Sequence, residues 1–270
     1  MIDPWQERKI RGDWRIPAGT LGCFDNGEQI GGSVVTVLLL WAGAIGAIQI
    51  VVFVVWASWR TSDYSVMTHT VSQLASQGRP EARTANRMFF LHGVLVSLLA
   101  FGLRSVLSGI AAQSAILVFM LTYGISVSLT AVAQDHPEDE DETKNLEGHI
   151  HRALAHVAVL ALIAGMCTFA AVGPRLPNGN VLRYGTISLA GITCLLGVVY
   201  LLISERIRGL IQRSMFAVIQ IWICFVSLFA LASLLPHWSL SGLLQRQRGA
   251  KVRPRVARAE RVRRMRAHRT

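Results

Sequence analysis

The chain has 270 residues, of which 52% are hydrophobic and only 16% charged, and its mean hydropathy is positive. That excludes an ordinary soluble helical domain, whose helices carry a polar stripe at helical spacing; residues 33–59 and 105–134 contain no charged residue at all. The net charge of +11 sits almost wholly in residues 241–270, which hold ten Arg, one Lys and one Glu, so it describes a basic tail and not a nucleic-acid-binding fold.

Six apolar runs of about 18 residues or more are each long enough, at roughly 1.5 Å per residue, to cross a hydrocarbon core of roughly 30 Å. The expected fold class is all-α: a polytopic membrane protein with six transmembrane helices in one bundle over residues 32–238, between an N-terminal arm (1–31) and a basic tail (239–270). The arm is polar and lacks the short apolar segment of a cleavable signal peptide. The first span runs from about Gly32 to Trp59, with Trp56 and Trp59 fitting an interfacial aromatic belt. In the polar loop 60–87, Met67, Val71 and Leu74 recur at near-helical spacing. They predict a short amphipathic helix at the interface, then a turn at Gly78–Pro80. The second span covers about Asn86 to Leu107, and the third ends near Gln134. The fourth opens near His151 and stops at Gly173-Pro174, since proline cannot continue the hydrogen-bond ladder. The fifth covers about Val181 to Ser204. Glu205, Arg206, Arg208 and Arg213 form the next link, and the sixth span covers Ser214 to Leu235. Cys167, Cys194 and Cys224 fall inside apolar runs without metal-site spacing.

Orientation follows from the positive-inside rule. The tail and Arg8, Lys9, Arg11 and Arg15 place both termini in the cytoplasm of a plasma-membrane protein. Arg79, Arg83, Arg87, Arg206, Arg208 and Arg213 pull the other way.

Residues 134–156 (QDHPEDEDETKNLEGHIHRALAH) interrupt this apolar chain with seven of its sixteen acids and four of its eight histidines. His69 and Ser72 in the first loop, His92 two turns into the second span, Asp135 and His136 after the third, and His149, His151 and His156 at the fourth all fall on one side of the membrane. His92 and His156 lie at hydrocarbon depth, where a polar group is costly and is retained more readily facing a polar cavity. Three readings fit. In the first the histidines are structural, with His92 and His156 bonding to each other, to Ser97 or to backbone. In the second His69, His92, His151, His156 and Asp135 supply ligands to a metal such as zinc, with Ser72 or Asp135 orienting a metal-bound water. His151 and His156, five apart, diverge by about 140° on a helix, so such ligands must come from several segments. In the third His92 and His156 face each other across a haem. The acidic run Glu138 to Glu142 reads as a solvated loop, with a weak divalent-cation site as its alternative.

The segment SDYSVMTHTVSQLASQGRPEARTANRMFFLHGVL, the span ending Gln134-Asp135-His136-Pro137, and GHIHRALAH resemble the prokaryotic family called domain of unknown function 998. The matching elements are Ser72 and Leu74, Asn86 and Gly93, Asp135 and Pro137, and Gly148 with His151. The resemblance covers about residues 32–236. This chain departs from it in the acidic insertion and in the order Asp-His-Pro. It implies six spans and no activity. A looser likeness, by residue type alone, is to the membrane hydrolases that include alkaline ceramidases.

Two functions from different classes follow. One is a non-enzymatic small transporter, sensor or membrane-complex subunit with its polar cluster on the outer side; histidines that titrate near neutral pH suit it. The other is a membrane-embedded, metal-dependent (zinc) hydrolase acting on lipid. The expected partners are membrane lipid, anionic head groups at the tail, where each basic residue contributes on the order of 1 kcal/mol, and a protein subunit; nucleic acid is not expected.

Overall fold

The structure is a computed structural model that describes residues 28–76, 78–133, 146–173 and 179–234. Six long helices follow one another: α1 (Glu28–Arg60), α2 (Ala82–Val106), α3 (Gln113–Thr130), α4 (Leu146–Val172), α5 (Gly179–Leu202) and α6 (Glu205–Leu234). One 3-10 turn, Ser72–Ala75, lies between α1 and α2. The described residues contain no strand. All six helices are long and apolar enough to cross a membrane, the first over Val34–Arg60. The chain is therefore a multi-pass helical membrane protein. Division into compact units falls inside α1. The first unit, Met1–Val34, is described only at the start of that helix, and the second, Val35–Thr270, holds everything below. The N-terminal arm before residue 28 and the tail after residue 234 lie outside the described residues.

Consecutive helices α2 to α6 pack in order, and α6 returns to touch α2. Glycines set the closest approaches. A Cβ on Gly93 of α2 would stand 2.3 Å from the Gly124 carbonyl oxygen of α3, and one on Gly124 would stand 2.6 Å from the Gly93 carbonyl oxygen. Ser97 and Ser128, each four residues beyond a glycine of the pair, flank the crossing. This is the small-xxx-small device by which membrane helices come together without a hydrophobic driving force. Gly43 of α1 leaves room for Leu99 of α2 and Ser227 of α6, and Gly102 of α2 lies against Leu39 and Leu40 of α1. At the centre Trp222 of α6 is fully buried, meets Phe169 of α4 edge-on at 6.2 Å, and donates its indole N–H to Thr186 of α5 at 3.2 Å.

The outer surface is apolar. Leu38, Ile45, Ile48, Val52 and Val55 form an exposed stripe along α1, and Leu160 of α4 and Leu195 and Leu201 of α5 are exposed as well. A soluble bundle would place polar residues there; hydrocarbon accounts for these.

Several expectations change. The loop after α1 forms no amphipathic interfacial helix. It folds inward as a strap: Val71 and Leu74 are buried with Ile50, Phe53, Val54, Tyr64 and Ala85, while Met67 stays exposed. The turn at Gly78 is present, with φ +81°, a conformation that glycine takes without strain. The sixth helix begins at Glu205, not Ser214, so the arginines read as a link lie on its first turns. Glu205 suits the positive end of the helix dipole and pairs with Arg208 at 3.7 Å. Arg213 is accommodated because the strap offers it carbonyl groups. The second and fourth helices likewise start about one turn earlier than the apolar runs indicate, at Ala82 and Leu146.

Candidate functional site

Alternation of six spans brings the α1–α2, α3–α4 and α5–α6 junctions to one end of the bundle, the strap end. Inward from it lies a chain of polar side chains in an otherwise apolar interior. His92 of α2 is fully buried. Its Nδ1 lies 3.1 Å from the Gly46 carbonyl oxygen of α1, and its Nε2 lies 3.1 Å from the Tyr123 hydroxyl of α3. A carbonyl only accepts, so Nδ1 carries the hydrogen, and Nε2 of the neutral ring accepts from the tyrosine O–H. The rings meet edge-on at 6.1 Å. Gly46 permits this: a Cβ there would lie 2.9 Å from Leu95 Cβ and 3.6 Å from His92 Nδ1.

Beyond Tyr123 stands Gln220 of α6, 2% exposed. Its amide faces the tyrosine hydroxyl without closing a hydrogen bond of good geometry, so its oxygen and nitrogen are both buried and unpaired. On the strap side, Gln49 of α1 and Met88 of α2 sit one turn from Gly46 and His92. Gln49 Nε2 donates to Met88 Sδ at 2.9 Å, and its Oε1 is again buried and unpaired. Four helices thus converge on His92, Tyr123, Gln220 and Gln49. Hydrocarbon offers such groups no partner, and each bare one costs on the order of 1–3 kcal/mol.

The strap closes over this region and is tied to α6. Arg213 Nη1 donates to the carbonyl oxygens of Val66 (2.8 Å), His69 (2.6 Å) and Gly209 (3.0 Å), and Nη2 donates to the Tyr64 hydroxyl. The guanidinium also lies 4.9 Å from the Tyr64 ring centroid, and Arg79 lies 5.7 Å from it. Burial pushes the Tyr64 hydroxyl up to about 12, against the pull of Arg213 and Arg79. Val71 N–H donates to Gln212 Oε1 at 2.5 Å, and Leu210 N–H to the Met67 carbonyl at 3.2 Å. Gly209 lets the backbones meet: a Cβ would stand 2.3 Å from the His69 carbonyl oxygen.

The residues singled out from sequence are distributed as follows. His69 lies in the strap, its Nδ1 accepting from Ser65 N–H at 2.8 Å and its ring stacked on Tyr64. Ser72 opens the 3-10 turn, its hydroxyl 3.0 Å from that of Thr70. His151, buried, donates from Nδ1 to the Thr130 and Ala133 carbonyls at 3.2 and 2.7 Å, which caps the end of α3. His156 is exposed and donates from Nδ1 to the Arg152 carbonyl at 2.7 Å. His149 Nδ1 accepts from Arg152 at 3.1 Å. Asp135, His136 and the acidic run fall outside the described residues. Among the described residues no three His, Cys, Asp or Glu gather as a metal would need. The His92–His156 pairing that haem or a direct hydrogen bond requires is not formed: His92 faces Gly46 and Tyr123 inside, and His156 faces outward. Tyr123 and Gln220 were not singled out from sequence. The available signal was an amide, Gln220, within the apolar run 214–235.

A search of curated proteins and of solved structures finds no match to the chain. The family described as "Protein of unknown function (DUF998)" matches residues 44–229, which takes in nearly all of the six-helix region and every described residue of the polar chain. On that match the chain belongs to the DUF998 family.

Proposed function

We propose that the protein is a non-enzymatic membrane protein, a transporter or sensor, that binds a small polar solute inside its bundle. The observation that carries this reading is the Gln220 amide, buried with both its oxygen and its nitrogen unpaired, together with the unpaired Gln49 Oε1 on the strap side of the His92–Tyr123 hydrogen bond. In a packed membrane interior an orphaned amide is retained against its cost when something polar visits it. The strap lies on the outer side of that site, and the Arg-rich tail argues for termini in the cytoplasm of a plasma membrane, where the tail leans on anionic lipid. A lipid hydrolase would need its ligands gathered around an open metal position; His69 lies in the strap, His92 inside the bundle and His151 at the end of α3, each on different protein partners.

The test is a thermal-shift screen of small polar metabolites on the full chain in nanodiscs, comparing wild type with Gln220→Leu. A solute that stabilises the wild type and not the variant is the expected result. If Gln220→Leu melts higher and no solute distinguishes the two proteins, the amide is a tolerated defect and the reading fails.

A further inference from the structure

Resting on the interior site just proposed, we infer that its ligand is an uncharged solute bearing an amide, urea or hydroxyl group, and that ions of either sign are excluded. The inference comes from what surrounds the unpaired atoms. Residues 34–59 of α1, 88–103 of α2, 113–130 of α3, 153–172 of α4, 184–202 of α5 and 214–234 of α6 contain no Asp, Glu, Lys or Arg. The cations nearest along the chain are directed elsewhere. Arg87 is exposed and five residues from His92, about 140° around α2. Arg213, two turns before Gln220 on the same face of α6, gives both terminal nitrogens to strap carbonyls and Tyr64, while its Nε is buried without a partner. The His92 ring has both nitrogens engaged, one by a carbonyl and one by a hydroxyl, and faces no carboxylate among its hydrogen-bond partners. An ion here would meet no countercharge in a low-dielectric medium, a cost that paired dipoles alone do not offset.

The unpaired groups describe the complement. Gln220 Nε2 donates, while Gln220 Oε1 and Gln49 Oε1 accept. A carboxylate would leave both acceptors unmet, and an ammonium would leave the donor unmet. A primary amide, urea or polyol satisfies both kinds at once.

Cysteine accessibility tests this while the ligand itself is still unidentified. Cys23, Cys167, Cys194 and Cys224 are replaced by Ser in the full chain. Gln220→Cys and, separately, Gln49→Cys are then treated in proteoliposomes with hydroxyethyl, sulfonatoethyl and trimethylammonioethyl methanethiosulfonate, each rate being normalised to that with a free thiol. Ile223→Cys, from the fully buried core one turn further along α6, reports general leakage of reagent. The expected result is that the neutral reagent modifies Cys at 220 about ten-fold or more faster than either charged reagent, in line with the cost of charge in the membrane interior. The neutral reagent should also modify position 220 faster than position 223. Equal rates for a charged reagent overturn the exclusion of ions and leave the binding reading standing. Equal labelling at 220 and 223 overturns the inference, because access would then be mere permeation. No labelling at 220 or 49 by any reagent removes the interior site and the proposed function with it. Agreement between the two positions guards against a variant that fails to fold.

Discussion

His92 reads as a switch residue by type and as a fastener by geometry. Its two nitrogens join α1 to α3 through α2. Replacing His92 by Phe leaves the Tyr123 hydroxyl only the Gln220 amide that it faces, and should cost about 1–3 kcal/mol. Tyr123→Phe in the same chain should recover part of that, giving a coupling energy of about 0.5–3 kcal/mol in a double-mutant cycle. Denaturation of the four proteins in mixed micelles measures it, and strict additivity would show that the hydrogen bond does not form. Tyr64 makes a second residue-level prediction. Its hydroxyl titrates at about 12 when folded and near its ordinary value of 10.0 when unfolded, so the unfolded chain loses the proton first. The native state binds more protons between these values, and stability must fall as pH rises from 10 to 12. Melting curves over that window should steepen in the wild type relative to Tyr64→Phe. The depth of His92 was legible in the sequence, but its partners were not, because they lie 46 and 31 residues away and no local spacing connects them.

Among the elements, the tightest constraint is the α2–α3 crossing. Glycine is required at 93 and 124 because in each case the opposing atom is a backbone carbonyl, which cannot rotate aside. Gly93→Val or Gly124→Val should force the helices apart and abolish folded protein in a size-exclusion assay. Ser97→Ala should be mild, because that hydroxyl bonds the carbonyl one turn back on its own helix. The family-like residues acquire physical roles at this scale: Leu74 anchors the strap, Gly93 makes the crossing, and His151 caps α3. Span number and order were legible because apolar length is a strong signal. The start of α6 was not, because Arg213 looks like a surface residue until the carbonyls that receive it, 144 and 147 residues away, are seen. The strap misled for the opposite reason: Val71 and Leu74 suit an interfacial helix as well as they suit burial beneath Arg213.

For the whole molecule, charge and polarity are segregated. Among the described residues, charged side chains sit at the helix ends and in the strap, the exposed helix faces are mainly apolar, and the interior keeps a small uncharged polar set. Composition revealed the first two, since they follow from counting residues along runs. The third depends on which faces of four helices meet, and a one-dimensional pattern does not carry that. Sequence reasoning accordingly gathered the histidines by side of the membrane, whereas the structure gives each described one separate partners. What does converge is a mixture of residue types, His, Tyr and Gln, that no single-type motif would join.

The His151 cap has a consequence for connectivity. By gripping Thr130 and Ala133 from the first turns of α4, it holds the two ends of segment 134–145 in register without relying on the segment itself. The covalent link there supplies proximity that the cap and the α3–α4 packing already supply. The gene could therefore be divided between codons 139 and 140 and the two fragments co-expressed as separate polypeptides. They should co-purify as two three-helix halves, and His151→Ala should weaken that association in the divided protein while leaving the continuous one assembled.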